Sequence, residues 1–177
     1  MDEALIPYDA QSTYQKGIYE GENHLRDDEL EKFLISIRQK IGIDGSVLIT
    51  FDACHSGTAN RIEEYVEDDD APIRGTNVIF SSNPFYIAPG NKHIERKTKL
   101  AQQNGLSPIC IISACQPFQR NFETKVGNSY YGTLSYSLYK VLKEVNQWNR
   151  IYYPKIWEQA KSFSSKQIPM IESSYAL

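Results

Sequence analysis

The sequence has 177 residues, 41% hydrophobic and 23% charged, with 19 basic against 22 acidic side chains and a formal charge of −3. That length suits a single domain with a core of its own, and the slightly acidic balance gives no electrostatic reason to bind nucleic acid. No apolar run reaches the ~18 residues of a membrane-spanning helix, the N-terminus lacks the basic-then-apolar order of a signal peptide, and the three cysteines are too few for a disulfide scaffold. A cytoplasmic protein with reduced thiols is expected.

In chain order, residues 2–9 read as a short extended segment and a turn, and 11–23, polar with Gly17 and Gly21, as a loop. A helix follows. Leu30, Phe33, Leu34, Ile37 and Ile41 recur at helical spacing, Asp27 or Asp28 suits the N-cap with Glu31 three residues after Asp28, and Gly42 and Gly45 end it. Val47–Phe51 is a continuous apolar, β-prone run without alternation, the pattern of a strand buried on both faces of a parallel sheet. Residues 61–75, with the acidic run Glu67-Asp68-Asp69-Asp70, predict a solvated loop. Residues 77–82 predict a second strand, and 84–105, with basic residues at 92–99, an insertion. A third buried strand at 108–114 leads to a loop as far as Tyr131. A helix over 132–145 comes next, with Leu134, Leu138, Val141, Leu142 and Val145 on one face. A further helix at 155–163 and an extended stretch at 167–172 close the chain. Strands alternating with helices predict an α/β fold.

Cys54 carries the chemistry. It follows a buried strand and leads into His55-Ser56-Gly57, so its thiol sits at a strand-to-loop turn, open to solvent, with backbone N–H groups near enough to hold an oxyanion. Most unpaired cysteines are core residues, and Cys110, inside an apolar strand, reads that way. A phosphate-cradling Cys-to-Arg loop is disfavoured. Arg61 is the first Arg after Cys54, six residues intervene, one more than that chemistry uses, and only Gly57 permits close phosphate approach. The second mechanism open to a cysteine in such a loop is thiol acyl transfer.

The run Thr50-Phe51-Asp52-Ala53-Cys54-His55-Ser56-Gly57 resembles the catalytic-cysteine motif of caspase-like peptidases, in their metacaspase or bacterial caspase-homologue form. Further segments resemble the family in order. Residues 2–9 resemble the stretch after its catalytic His, and 27–30 the start of the helix before the Cys strand. Residues 112–116 resemble the start of the smaller subunit, 131–136 its following helix, and 167–169 its last strand. The likeness leaves out 63–107. It implies a caspase-like three-layer α/β/α sandwich with a mostly parallel sheet whose N-terminal strands are missing. It also implies one domain over 1–177: a nucleophile-bearing, large-subunit-like part at 1–75, a linker at 76–107 and a small-subunit-like part at 108–177.

The same resemblance implies a cysteine endopeptidase. Cys54 is its nucleophile, and the Cys54 backbone N–H belongs to the oxyanion hole. Asp52, two residues earlier and on the same face, selects a substrate with Arg or Lys at P1, the residue before the cut; the plain alternative is that Asp52 caps the turn. Ser113, Cys115 and Gln116 line the same cleft, with Phe118 and Phe122 as walls. The family's catalytic His falls upstream of residues 2–9. The general base is therefore expected from an upstream segment or companion chain, and this chain alone is expected to be inactive. His24, His55 and His93 are poor substitutes, since the side chain after Cys54 points to the opposite face. Asp2, Asp27 and Asp28 align with a calcium site of some metacaspases, and their hard oxygens suit Ca²⁺, although helix capping also accounts for Asp27 and Asp28. No cofactor is otherwise required. Arg96, Lys97 and Lys99 are candidate self-processing positions. The expected partner is a protein or peptide, not a nucleic acid or a membrane. The alternative from another class is an inactive caspase-like module that binds a peptide in the same cleft.

Overall fold

Ala4–Leu5 and Leu25–Arg26 form β1 and β2 of the computed structural model, an antiparallel pair with Ala4 opposite Arg26 and Leu5 opposite Leu25. The structure describes residues 4–54, 71–75, 80–83, 86, 105–117, 119–144, 155, 158–159, 161–162 and 167–174. Most of the strand expected at 77–82 lies outside these, and Phe80, Ser81 and Ser82 are not in a strand. The chain divides into two units. One comprises Met1–Ser46, His55–Ala59 and Thr76–Pro108; the other comprises Val47–Cys54, Asn60–Gly75 and Ile109–Leu177.

In the first unit, α1 (Asp27–Ile41) follows β2 directly. Its N-cap is Arg26, not Asp27 or Asp28, and the capping carboxylate is Glu29, not Glu31. Glu29 accepts the Arg26 backbone N–H at 3.3 Å and its guanidinium at 2.6 Å. That guanidinium holds the Glu29 carboxyl below its ordinary range. The acids Asp27, Asp28 and Glu29 fill the first turn, where the helix dipole favours them. The expected apolar face is incompletely covered, with Phe33 62% and Ile41 44% exposed. The buried member of α1 is Arg38, whose Nε donates to the Ser107 carbonyl at 2.7 Å. Gly42 ends the helix as predicted. The loop over 11–23 wraps an aromatic cluster: the Phe80 ring meets Tyr14, Tyr19, His24 and Tyr86 edge-on, His24 closest at 4.5 Å between centroids. The Tyr86 hydroxyl donates to the Glu20 carbonyl at 2.6 Å, and burial pushes its pKa up.

In the second unit, β3 (Val47–Phe51) pairs in parallel with β4 (Ile109–Ser113), Val47 opposite Ile109 and Phe51 opposite Ser113. Then come β5 (Glu123–Val126), β6 (Ser129–Gly132), α2 (Thr133–Glu144) and β7 (Met170–Ser173). β7 runs antiparallel along the other side of β4, giving the order β3-β4-β7. Every residue of β4 is buried, as its apolar run predicts, whereas β3 is half-buried with Thr50 exposed. The reason is position: among the described residues β4 has a neighbour on both sides and β3 on one. α2 lays Leu134, Leu138 and Val141 against Cys110, Ile112 and Ala114, with Leu48 and Ile171 at the margin. Each such apolar side chain, once buried, contributes about 1.5–3 kcal/mol. Leu134, Leu138 and Val141 of the expected face of α2 are therefore observed against the core, whereas Val145 lies outside the described residues.

The loop expected before Tyr131 is in fact a hairpin. β5 and β6 pair from Glu123–Gly132 to Val126–Ser129 across the two-residue turn Gly127-Asn128. Gly127 sits at φ 61°, the left-handed conformation that such a turn demands of its first central residue. Lys155, Glu158, Gln159, Lys161 and Ser162 are helical, in agreement with a helix at 155–163. The molecule is thus mixed α/β, with small sheets and helices. No helix among the described residues is long and apolar enough to cross a membrane, and no disulfide joins the three cysteines.

Candidate functional site

Parallel strands deliver their next residues to the carboxyl edge of the sheet, where α/β folds place their sites. β3 does this with Asp52 and Cys54; the Cys54 thiol, expected open to solvent, is buried, because Gly75 lies against it and the Asn121 backbone N–H donates to its sulfur. Alternation along the backbone turns both Asp52 and Cys54 toward one residue, Asn121. The Asn121 side-chain Nδ2 donates to Asp52 Oδ1 at 2.8 Å, and its backbone N–H donates to Cys54 Sγ at 2.9 Å. The second Asp52 oxygen, Oδ2, accepts the backbone N–H of Ser135 at 2.8 Å, in the first turn of α2. The carboxylate therefore meets the positive end of a helix dipole and one of its orphan donors.

Asn121 is fully buried and held from behind by Gln167, itself 1% exposed. Gln167 Nε2 donates to Asn121 Oδ1 at 3.0 Å and to the Ala114 carbonyl at 3.1 Å, while its Oε1 accepts the Phe122 N–H at 2.7 Å. The chain of bonds fixes both amide orientations. A carboxylate can only accept, so Asn121 must present its NH₂ to Asp52 and its oxygen to Gln167, and Gln167 must then turn its oxygen to Phe122. Every polar atom in this buried row has a partner, the condition under which such a row holds one geometry.

A third strand of backbone lies beside Cys54. Ile73 bridges antiparallel to Phe122, the Arg74 N–H donates to the Asn121 carbonyl at 2.9 Å, and the Glu123 N–H donates to the Pro72 carbonyl at 2.8 Å. The described end of the predicted solvated loop, residues 71–75, is therefore a strand-like addition to the site. Backbone pairing with the Asn121 carbonyl and the Glu123 N–H outweighs the acidic composition of the residues before it. The Cys54 N–H donates to the Arg74 carbonyl at 2.6 Å. Gly75 follows, and a side-chain carbon there would fall 3.0 Å from Sγ. Arg74 Nε forms an ion pair with Glu123 Oε1 at 3.1 Å, without pointing its N–H along the line. A side chain at Gly132 would run into both the Asp52 carboxylate and Arg74 Nε, so the two share the space that this glycine leaves.

Of the other expected cleft residues, Ser113 ends β4 and is 5% exposed, and Cys115 is fully buried with its thiol donating to the Gln119 carbonyl at 3.6 Å. The Gln116 N–H donates to Gln119 Oε1 at 3.2 Å. These residues shape the turn that carries Asn121 into place. Phe122 contributes its backbone: its carbonyl accepts the buried Thr133 hydroxyl at 2.8 Å. Phe118, His55, His93, Arg61, Arg96, Lys97, Lys99 and Asp2 lie outside the described residues. His24 belongs to the first unit, where its Nε2 lies 2.8 Å from the Gln11 carbonyl. Asp27 and Asp28 stand in the first turn of α1, and no group of three or more metal-ligating side chains occurs among the described residues. Asn121, Gln167 and Arg74 were not singled out by sequence. Buried amides leave no periodic trace, and one Arg after an acidic run looks like any solvated cation.

Compared with known proteins, the chain matches no family model, no curated protein and no solved structure.

Proposed function

We propose that this chain is the nucleophile-bearing part of a caspase-like cysteine endopeptidase that hydrolyses peptide bonds after Arg or Lys. The observation that carries the reading is the Cys54 backbone N–H, which donates at 2.6 Å to the Arg74 carbonyl, while the next residue, Gly75, lies against the Cys54 side chain. An acyl-transfer site needs that arrangement: a donor aimed where the oxyanion develops and a thiol on the same residue. Asp52 supports the choice of a basic P1 residue. It is a carboxylate held in place on both oxygens, beside the guanidine of the arginine whose carbonyl Cys54 binds. The parallel β3–β4 pair with an antiparallel β7 suits the caspase-like sandwich that the sequence resembles.

In the mechanism, Cys54 Sγ attacks the carbonyl carbon, the Cys54 N–H holds the oxyanion, and Asp52 orients the cationic side chain. An imidazole from an upstream segment or a companion chain takes the thiol proton and delivers it to the leaving amine. The setting is the cytoplasm, where the thiol stays reduced. Calcium at Asp2, Asp27 and Asp28 belongs to this proposal only as a site for titration, since helix capping gives Asp27 and Asp28 a role without it.

The test is labelling of Cys54 by an Arg-chloromethyl-ketone peptide, with an Asp-chloromethyl-ketone peptide as control, on the chain alone and with the coding sequence upstream of it restored. Labelling by the Arg probe in the restored form supports the endopeptidase. No labelling of folded protein in either form leaves the rival, a peptide-binding module. The observation that favours the rival is that the cleft already holds a peptide segment.

A further inference from the structure

Two groups of the proposed reaction are held by one residue. Asn121 donates to Asp52 Oδ1 from its side chain at 2.8 Å and to Cys54 Sγ from its backbone N–H at 2.9 Å. A shift of Asn121 therefore displaces the support of the carboxylate and that of the sulfur at once. Asn121 lies between β4 and β5, in neither strand, so a regular ladder does not fix it. Gln167 does. Its Nε2 grips the Asn121 side chain at Oδ1, 3.0 Å away, and its Oε1 takes the Phe122 N–H at 2.7 Å, the peptide group that follows Asn121. The bond from Nε2 to the Ala114 carbonyl, at 3.1 Å, ties the same amide to the residue after β4. The Gln167 backbone is pinned next door, where the Ile168 N–H donates to Gln119 Oε1 at 2.9 Å.

We propose that Gln167 is a positioning residue that, through Asn121, sets P1 selection and the placement of the nucleophile together. The proposal rests on the endopeptidase reading above. Asn121 and Ser135 each use one lone pair of an Asp52 oxygen, and a carboxylate oxygen has two. The second pair on each oxygen is left to accept a guanidinium, whose parallel N–H bonds need a carboxylate plane in a set orientation. Gln167 supplies that orientation by denying the Asn121 amide its other rotamer: with the amide turned over, oxygen would face oxygen at both Asp52 and the row behind it. The nucleophile depends on the same grip, because the Phe122 N–H bond holds the backbone that carries the Asn121 N–H to Sγ. Misplacing a reacting group by about 1 Å can cost roughly 100-fold in rate.

The experiment uses the protein with its upstream coding sequence restored. Inactivation by an Arg-chloromethyl-ketone peptide and by its norleucine counterpart gives a binding constant and a first-order rate for each. Iodoacetamide, which has no P1 side chain, gives the bare reactivity of Cys54, read by mass on the peptide that contains it. Gln167→Met keeps the length and removes every side-chain bond. It should lower the preference for Arg over norleucine, and the first-order rate, by at least about tenfold each. Asn121→Ala keeps the backbone N–H and removes the arm to Asp52, so it should lower the preference as far and the rate less. A role confined to stability would lower the melting temperature and move neither quantity in folded protein. If the Arg peptide labels Cys54 and folded Gln167→Met keeps the wild-type preference and rate, the positioning proposal is overturned while the endopeptidase stands. Should Gln167→Met not fold, Asn121→Ala decides, and a wild-type preference there overturns the proposal. If the Arg peptide labels no folded form, the endopeptidase is overturned, and equal iodoacetamide rates in wild type and Gln167→Met overturn the positioning role as well.

Discussion

Replacing Asp52 by Asn keeps the shape of the side chain and removes one acceptor. In the native site Oδ1 takes the Asn121 NH₂ and Oδ2 takes the Ser135 N–H, each at 2.8 Å. An amide offers one oxygen and one NH₂, so in either orientation of Asn at 52 a donor faces a donor. A stranded donor costs about 1–3 kcal/mol, and loss of the anion at the start of α2 adds about 0.3–1 kcal/mol. The expected destabilisation is about 2–3 kcal/mol, or roughly 5–10 °C in Tm for a chain of this size. Urea unfolding gives the stability, and hydrogen exchange at the Ser135 amide gives the local effect. The compensating variant is Asp52→Asn with Asn121→Asp, which restores an acceptor for every donor in the row. It should return at least about 1 kcal/mol of coupling, short of full rescue because position 121 is wholly buried. Stability of Asp52→Asn within about 0.5 kcal/mol of wild type, the range of an ordinary surface change, would refute the claim that both oxygens are obligatory acceptors.

Four other substitutions have defined outcomes. Leu134→Ala empties a fully buried position and should cost about 2–5 kcal/mol in urea unfolding, while Phe33→Ala, at a position 62% exposed, should change stability by less than about 0.5 kcal/mol. Gly132→Ala drives a methyl into the Asp52 carboxylate and Arg74; a loss of about 1–3 kcal/mol is expected in a thermal melt. Burial pushes the Cys110 thiol above its ordinary value of 9.0. The folded state therefore keeps a proton that the unfolded chain loses, and this contribution to stability is complete below pH 9 and falls as pH rises above it. Cys110→Ala should flatten the alkaline decline in unfolding free energy, whatever its absolute cost.

The parallel pair β3 and β4 of the second unit was legible because both strands are apolar runs. Ile109 to Ser113 is buried throughout, and unbroken hydrophobicity is the signature of such a strand. The face of α2 was legible for the same reason, through Leu134, Leu138 and Val141. The hairpin was overlooked although Gly127-Asn128 between β-prone stretches is a turn signal. Tyr130 and Tyr131 in β6 are 38% and 46% exposed, so the hairpin has little of the alternation that marks a half-buried strand. At the site, Cys54 and Asp52 could be read from their place after β3. Asn121 and Gln167 could not, because their importance lies in which atoms face each other across 46 residues of chain. The end of the loop at 71–75 was misread because composition reports the neighbours of Arg74 and not the Asn121 carbonyl and Glu123 N–H that pair with it.

The row of amides also has a consequence for synthesis. A ribosome adds about 5–20 residues each second, and Cys54 emerges long before the groups that organise it. The bond from Asp52 to Ser135 spans 83 residues, and Gln167, which anchors Asn121 and Phe122, is made later still. The nascent chain therefore carries the cysteine through translation without the cleft around it. Assembly waits for Gln167 to leave the exit tunnel, so a stalled or shortened product that lacks Gln167 has the thiol but not the frame that aims it.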